Sequence, residues 1–326
     1  MVNTPKVSVV IPVYNVEEYI RQCLNSVVNQ TLKDIEIIVV NDCSPANEDE
    51  IIQEFVRKDN RIKYIKLEKN VGQGEGRNIG LSQATGEYFY CVDSDDYLDL
   101  TLLEKVYNKA KSLDADMLFF QLTTVDCKNG EITPQTIMSP TILSLENKTF
   151  SHQDTDGFFF DFWLAPHTRI YKKEFCQKYI HYPVGVKYED VLPALTGWLE
   201  AKKISFLNEN LYYYRINRLG SDTYGKVTRT ADIKNHISAT LNLFEEKNLV
   251  EKYKYRLMGY FVNAMHWYNP NKELFLFIRN IVKNHLSINE LQSATLTRTS
   301  IKRLNGILRY PFWYYKFKYF HNYKCK

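Results

Sequence analysis

Tyr88-Phe89-Tyr90-Cys91-Val92-Asp93-Ser94-Asp95-Asp96 is a short aromatic and apolar run that ends in three carboxylates within four residues. The apolar part reads as a strand buried on both faces of a sheet. Negative charge gathered at the carboxyl end of such a strand is costly unless something positive accompanies it. Hard carboxylate oxygens are natural ligands for a divalent cation. The plainer reading is a helix cap, since Asp is a common N-cap and a helix is expected to begin near Leu100. One Asp accounts for a cap and three do not, so the metal or ligand reading leads.

Three similar strands precede this one. Lys6-Val7-Ser8-Val9-Val10-Ile11-Pro12 predicts a buried β-branched strand, ended by a proline that has no N–H to donate. Tyr19, Ile20, Cys23, Leu24, Val27 and Val28 recur at helical spacing, with Glu17 and Glu18 in the first turn, where the helix dipole favours negative charge. A second strand is expected over 35–40, ending at Asn41-Asp42, then a helix over 48–57 and a third strand over 62–67. The Gly-rich loop 70–76 follows, with a short helix from about Arg77. This alternation implies right-handed βαβ units and a mainly parallel sheet. Ligands bind such sheets beyond the carboxyl ends of the strands. Tyr14 and Asn15, Asp42, residues 70–77 and residues 93–96 all fall at that edge.

The glycine loop offers backbone N–H groups and a helix N-terminus, both suited to phosphate. Arg77 adds a planar charged fork that matches phosphate oxygens. Equally, the glycines could do no more than turn the chain. The loop does not follow the dinucleotide pattern G-x-G-x-x-G, and the chain has no P-loop. Carboxylates, an arginine and phosphate-friendly backbone together point to a nucleoside diphosphate bridged by Mg²⁺ or Mn²⁺. Asp42 is either a contact to base or ribose or a solvated turn residue.

Composition sets outer limits. In 326 residues, 44% apolar and 25% charged residues describe a globular protein rather than a disordered one. A net charge of +4 is too small to argue for nucleic acid over the whole chain. The six cysteines form no CxxC pair and no metal-like spacing, which favours a reducing cytosol. Ser8 and Pro12 break the first apolar run, so it is not read as a signal peptide. No window has the 18–20 continuous apolar residues of a membrane span. A cytoplasmic protein is expected, peripheral on the inner face of the cell membrane if its tail binds lipid.

Later in the chain, 115–120 predicts a further strand, and the polar, aperiodic stretch 126–157 predicts a loop with a turn at Asn129-Gly130. An aromatic run over 158–163 leads to His167, which has no metal-type partner near it in sequence and reads as structural or acceptor-side. Glu189-Asp190 opens an apolar helix, where acids can be simple dipole partners. Amphipathic helices are expected over 230–295. From Ile301 to Lys326 there is no acidic residue, and Lys302, Arg303, Arg309, Lys316, Lys318, Lys324 and Lys326 mix with Trp313 and other aromatics. Such a tail suits an anionic membrane surface. Packing on the core, a homo-oligomer contact and nucleic acid are the alternatives.

Val9-Val10-Ile11-Pro12-Val13-Tyr14-Asn15-Val16-Glu17, Ser26-Val27-Val28-Asn29-Gln30-Thr31, Glu36-Ile37-Ile38-Val39-Val40-Asn41-Asp42, Gly76-Arg77-Asn78 and Asp93-Ser94-Asp95-Asp96, in this order, resemble family 2 glycosyltransferases. The resemblance is close over 5–115 and looser to about 222. It implies a GT-A fold, a Rossmann-like α/β domain over 1–222 with a mainly parallel sheet flanked by helices. Its nucleotide-sugar half would be about 1–115 and its acceptor half 116–222. A mostly helical extension, 223–326, would follow.

The resemblance implies an inverting transfer from a nucleotide-diphosphate sugar, UDP-linked by expectation, to a glycan or lipid-linked glycan, with Mn²⁺ or Mg²⁺. Asp93-Ser94-Asp95 would be the DxD motif, with Asp95 on the metal and Asp93 on metal or ribose. Pro12, Tyr14, Glu17 and Asp42 would line the nucleoside pocket, with Asn70, Arg77 and Ser94 at the donor. Asp190 would be the general base, aided by Glu189. Arg215 and Arg218 would belong to a loop closing over the diphosphate, or else be solvated. Two departures stand out. The family's usual Asp-Asp-Gly-Ser is here Asn41-Asp42-Cys43-Ser44, and Ala-Arg-Asn is Gly76-Arg77-Asn78.

Two other functions compete with transfer. A nucleotide-sugar-forming nucleotidyltransferase would carry a basic Gly-rich loop after strand one, where this chain has Pro12-Val13-Tyr14-Asn15. An inactive glycosyltransferase-like binding subunit has no need of Asp93, Asp95, Arg77 and Asp190 together.

Overall fold

Every residue of Val7–Val13 (β1) is buried, as a β-branched run covered on both sheet faces requires. Glu17–Val28 (α1), Ile35–Asn41 (β2), Glu48–Val56 (α2), Ile62–Lys66 (β3), Gln73–Gln83 (α3) and Tyr88–Cys91 (β4) follow in the alternation read from the sequence. These strands lie parallel in the order β3-β2-β1-β4. The structure is a computed structural model and describes residues 4–135, 140–155, 157, 165–221, 229–267, 271–292 and 298–320.

The sheet continues with Tyr97–Leu98 (β5), Met117–Asp126 (β6), Ile132–Pro134 (β7), Arg169–Lys172 (β8) and Ile204–Ile216 (β9). Its full order is β3-β2-β1-β4-β8-β6-β9-β5, with β7 paired to β6. β8 is antiparallel to both β4 and β6, whereas β9 runs parallel to β6. Helices Leu102–Ser112 (α4), Pro140–Leu143 (α5), Lys173–Tyr179 (α6) and Val191–Glu200 (α7) complete this α/β part.

Four expectations need correction. The stretch 126–157 is not all loop: Ile132–Pro134 returns as a strand after a turn in which Gly130 adopts φ +73°. Helix α3 begins at Gln73, so Gly74 and Gly76 lie inside it, and the turn into it is made by Gly72 at φ +89°. Residues 211–216 are the end of β9 rather than a loop. Residues 93–96 do not cap α4: its N-cap is Thr101, which makes no side-chain capping bond, and the Leu103 N–H in its first turn donates instead to Oε1 of Gln30 at 2.9 Å. The aromatic run 158–163, and Lys324 and Lys326 of the tail, lie outside the described residues.

The chain divides into two compact units, Met1–Thr155 with Asp161–Tyr224, and Asp156–Phe160 with Gly225–Lys326. The second is helical: Thr230–Glu246 (α8), Val250–Trp267 (α9), Lys272–His285 (α10), Arg298–Arg309 (α11) and Phe312–Phe320 (α12). Its core includes Phe244, Leu257, Phe261, Ile278, Leu304, Ile307 and Tyr315. Among the described residues, no helix is long and apolar enough to cross a membrane.

Close packing of α3 on β1 rests on Gly80. A Cβ there would lie 2.2 Å from Cγ1 and 2.8 Å from Cγ2 of Val10, a fully buried β-branched side chain with little rotamer freedom. Ala is the better helix former by about 1 kcal/mol, but overpacking costs about 1–3 kcal/mol. Gly80→Ala is therefore expected to lower the denaturant midpoint; a raised midpoint would show that the helix can move away.

Candidate active site

Asp42 ends β2 almost fully buried, and its two carboxylate oxygens accept from the N–H groups of Val71 (2.7 Å) and Gly72 (2.8 Å). Burial pushes its pKa up, and the two N–H donors oppose that. The side chain thus holds the loop that opens α3. Asn41 braces the same turn, donating to the Tyr64 hydroxyl and accepting from the Ser44 N–H. Cys43 stands at φ +57°, a left-handed conformation that glycine adopts without steric cost. The turn is therefore kept although glycine is absent. Asn70 is exposed, with its amide 3.4 Å from the Asp42 carbonyl.

The three carboxylates after β4 have three different partners. Asp93 accepts from Arg77 at 3.0 Å and meets Nδ1 of His167 at 2.8 Å. Burial would raise its pKa, but Arg77 and His167 hold it well below the usual carboxylate range. Asp95 accepts from Nε of Arg218 at 2.8 Å. Asp96 is buried and accepts from the Tyr212 hydroxyl and the Arg215 N–H, both at 2.7 Å. Burial pushes Asp95 up, with Asp93 adding to it against Arg218; burial and the charges of Asp95 and Asp93 push Asp96 well up.

His167 was not foreseen here. It is stacked between Tyr212 (centroids 4.4 Å apart) and Tyr214 (5.3 Å), and its Nε2 is buried with no hydrogen-bond partner. An imidazole that gives one ring N–H to a carboxylate and keeps the other nitrogen as acceptor is the usual arrangement of a metal-binding histidine. Asp93, Asp96 and His167 offer ligand atoms within 4.8 Å of one another. The carboxylate oxygens suit Mn²⁺ or Mg²⁺, and an imidazole among them favours Mn²⁺, the softer of the two. These residues fit a divalent cation; of the two aspartates named as metal ligands from the sequence, Asp93 belongs to this group and Asp95 does not, while Asp96 and His167 join it.

Arg77 is 2% exposed and joins two distant parts of the chain. One amino group bonds Asp93 and Gln73, and the other bonds Glu189 at 2.9 Å. Asn78, one residue on, exchanges hydrogen bonds with the backbone of Tyr182. Gly74 allows this approach, since a Cβ would lie 2.8 Å from the Pro183 carbonyl and 3.1 Å from Cγ of Glu189. Tyr188, just before the acidic pair, is held at φ +63°, a strained conformation for a bulky side chain. Asp190 occupies the N-cap position of α7, yet its carboxylate makes no capping hydrogen bond. Burial and the neighbouring Glu189 charge push its pKa up to about 7, against the pull of Arg77.

Pro12, Tyr14, Asp42, Asp93, Ser94 and Asp95 line a cleft together with Arg218. Glu17 lines a neighbouring cleft, which also has Val16 and Arg218 in its wall. Glu189 and Asp190 do not line the first cleft; Arg77 is their link to it. The pairing of Arg218 and Arg215 with the acid cluster was also missed. No local signal marks it, because the partners are more than a hundred residues apart in sequence.

The family model for glycosyl transferase family 2 matches residues 8–180. The glycosyltransferase GlyG of Streptococcus pneumoniae serotype 4 is 33% identical over 220 residues, 66% of this chain and 72% of GlyG. The poly(ribitol-phosphate) β-N-acetylglucosaminyltransferase TarS of Staphylococcus aureus is 29% identical over 266 residues, 79% of this chain but only 44% of TarS. The crystal structure of TarS 1–349 with UDP-GlcNAc superposes with a TM-score of 0.65 at 22% identity, covering 93% of this chain and 90% of that one. A mannosyltransferase of Pyrobaculum calidifontis, solved with GDP-Man and Mn²⁺, shares the fold at a TM-score of 0.53 and 14% identity. Fold, motif order and these likenesses agree: the chain belongs to glycosyl transferase family 2 and is a glycosyltransferase of GT-A fold.

Proposed function

We propose that this glycosyltransferase inverts the anomeric centre, moving a sugar from a UDP-linked donor to a hydroxyl of a glycan or lipid-linked glycan. The observation that carries the reading is the bridge from Asp93 through Arg77 to Glu189, with Asp190 adjacent and tuned to about 7. It couples the carboxylates of the cleft to a base of suitable strength. The UDP-GlcNAc held by TarS supports a UDP-linked donor.

In this reading Asp190 takes the proton of the acceptor hydroxyl as its oxygen bonds to the anomeric carbon. The bond from that carbon to the phosphate oxygen breaks, and its electron pair leaves with the nucleoside diphosphate. Base and leaving group act on opposite faces, which gives inversion in one displacement. Glu189, fixed by Arg77, keeps the acidic pair in place. By the family resemblance Asp95, with Asp93, would hold Mn²⁺ or Mg²⁺, and Asp96 and His167 stand beside Asp93 as further candidate ligands. The ion when bound would supply positive charge for the departing diphosphate, and the Mn²⁺ of the Pyrobaculum enzyme is in keeping with this. Pro12, Tyr14 and Asp42 would face the nucleoside, and Ser94 the donor.

The tail adds a partner. Tyr315 is buried, against Phe275 at 5.1 Å, and α11 packs Leu304 and Ile307 inward, so part of the tail's apolar surface serves the core. Trp313 remains 70% exposed, and Lys302, Arg309, Lys316 and Lys318 are exposed with it. An amphipathic indole among cations, each worth roughly 1 kcal/mol near anionic lipid, suits adsorption to the cytoplasmic face of a membrane.

Asp190→Asn is expected to lower transfer by about 10²- to 10⁴-fold while UDP binding by calorimetry changes little. Wild-type turnover in that variant would remove Asp190 from the role. The base works deprotonated, and its raised pKa leaves it protonated below about 7, so kcat/KM should rise with pH and level off above that value. An acid limb centred near pH 4 would point to an ordinary exposed carboxylate. For the tail, Trp313→Ala with Lys316→Glu should reduce sedimentation with phosphatidylglycerol vesicles and leave phosphatidylcholine controls unaltered. Equal pelleting of variant and wild type would exclude this surface.

A further inference from the structure

Three carboxylates and their cationic partners do not form equivalent pairs. Arg77 is buried and bonded on both sides. Arg215 lies between the rings of Tyr19 (5.0 Å) and Tyr97 (4.9 Å), and it also bonds the Asp95 carbonyl and Gln22. Both are fixed by several contacts. Arg218 neutralises the Asp95 carboxylate through Nε alone, not through the two-pronged contact that makes an arginine–carboxylate pair strong. Its other contacts are a weak 3.4 Å bond to the Leu219 carbonyl and the face of Tyr19 at 5.3 Å.

Arg218 also stands where exchange is feasible. It belongs to the walls of both clefts. Its chain neighbours Asn217 (φ +58°) and Gly220 (φ +82°) bracket a tight turn at the end of β9, with Leu219 77% exposed. The carboxylate it covers is the one on which the donor-site reading places the metal.

Resting on that reading, we propose that Arg218 is an exchangeable cation. It competes with a divalent ion for Asp95 and, once displaced, turns its guanidinium to the diphosphate of the donor. Charge at Asp95 is then balanced with or without the metal. The arginine released by metal binding is free for the anion that arrives with it, so ion and donor favour one another through a single side chain. No bond is made or broken in this exchange.

The test is calorimetry of the full chain with Mn²⁺ alone, then with UDP at saturating Mn²⁺, in wild type, Arg218→Gln and Asp95→Ala. Removing the competing charge in Arg218→Gln should tighten Mn²⁺ binding by about ten- to a hundredfold, the range for one charge-assisted hydrogen bond. The same variant should bind UDP by about tenfold or more less tightly, and Arg218→Lys should recover part of both effects. Mn²⁺ affinity that is unchanged or weaker in Arg218→Gln overturns the competition. Unchanged UDP affinity overturns the transfer to the diphosphate. Asp95→Ala separates this proposal from the reading beneath it. If Asp95→Ala leaves Mn²⁺ and UDP binding at wild-type strength, the donor-site reading itself fails. If it abolishes Mn²⁺ binding while Arg218→Gln behaves as wild type, only the exchange fails.

Discussion

A fully charged guanidinium buried between two carboxylates is the constraint on which this site depends. Arg77 is removed from water, and such burial is tolerable only when the charge is paired and hydrogen-bonded. Asp93 and Glu189 meet that demand from opposite sides. Breaking one side of such a buried pair costs about 3–5 kcal/mol, because the remaining charge is left uncompensated. Neither carboxylate can drift without exposing that cost. The energetic demand of one side chain therefore fixes the distance between the donor cleft and the segment carrying Asp190.

Helix α3 makes this bridge feasible. Its first turns carry glycine where a side chain would strike Pro183 and Glu189, so the helix can press against the 182–190 segment. Arg77 and Asn78 then occupy adjacent positions, one bonding the acid and the other the Tyr182 backbone. In the sequence the glycines suggest a phosphate cradle. In the fold Asp42 uses the N–H groups of Val71 and Gly72. Gly74 packs against Pro183 and Glu189 and Gly76 against Pro12, whereas Gly72, at φ +89°, makes the turn with open space where a side chain would stand.

The parts of the fold legible in the sequence are those with strong local signals. β1, β2 and β4 are mainly apolar runs, broken within by Ser8 in β1 and Glu36 in β2, and their polar ends fall at one sheet edge as parallel topology requires. β8 has no such signal: it is four residues long, begins and ends in a cation, and gains its place only by pairing with β4 and β6. β9 was obscured by Asn208, Glu209 and Asn210, which interrupt its apolar pattern where its register with β6 shifts. The acid cluster after β4 was legible as a group of charges; Glu189-Asp190 reads from its residues alone as a pair of helix-dipole partners and is singled out only through the family resemblance. The partners of Asp93, Asp95 and Asp96 were not, because sequence spacing carries no information about contacts made across strands.

Those partners alter how the domain is divided. A boundary near residue 115 separates a nucleotide half from an acceptor half in sequence. Yet His167, Tyr212, Arg215 and Arg218, which complete the environment of the three carboxylates, all come after it. They arrive because β8 and β9 are inserted beside β4 and β6, bringing the later chain back to the end of β4. Tyr212 shows the consequence most directly. Its hydroxyl bonds Asp96 and also lies 3.3 Å from the Asp93 N–H, while its ring stacks on His167. One side chain of the later half thus touches two of the aspartates and the imidazole beside them. The acid cluster cannot be assembled by the first 115 residues alone, and its charge balance is a property of the whole sheet.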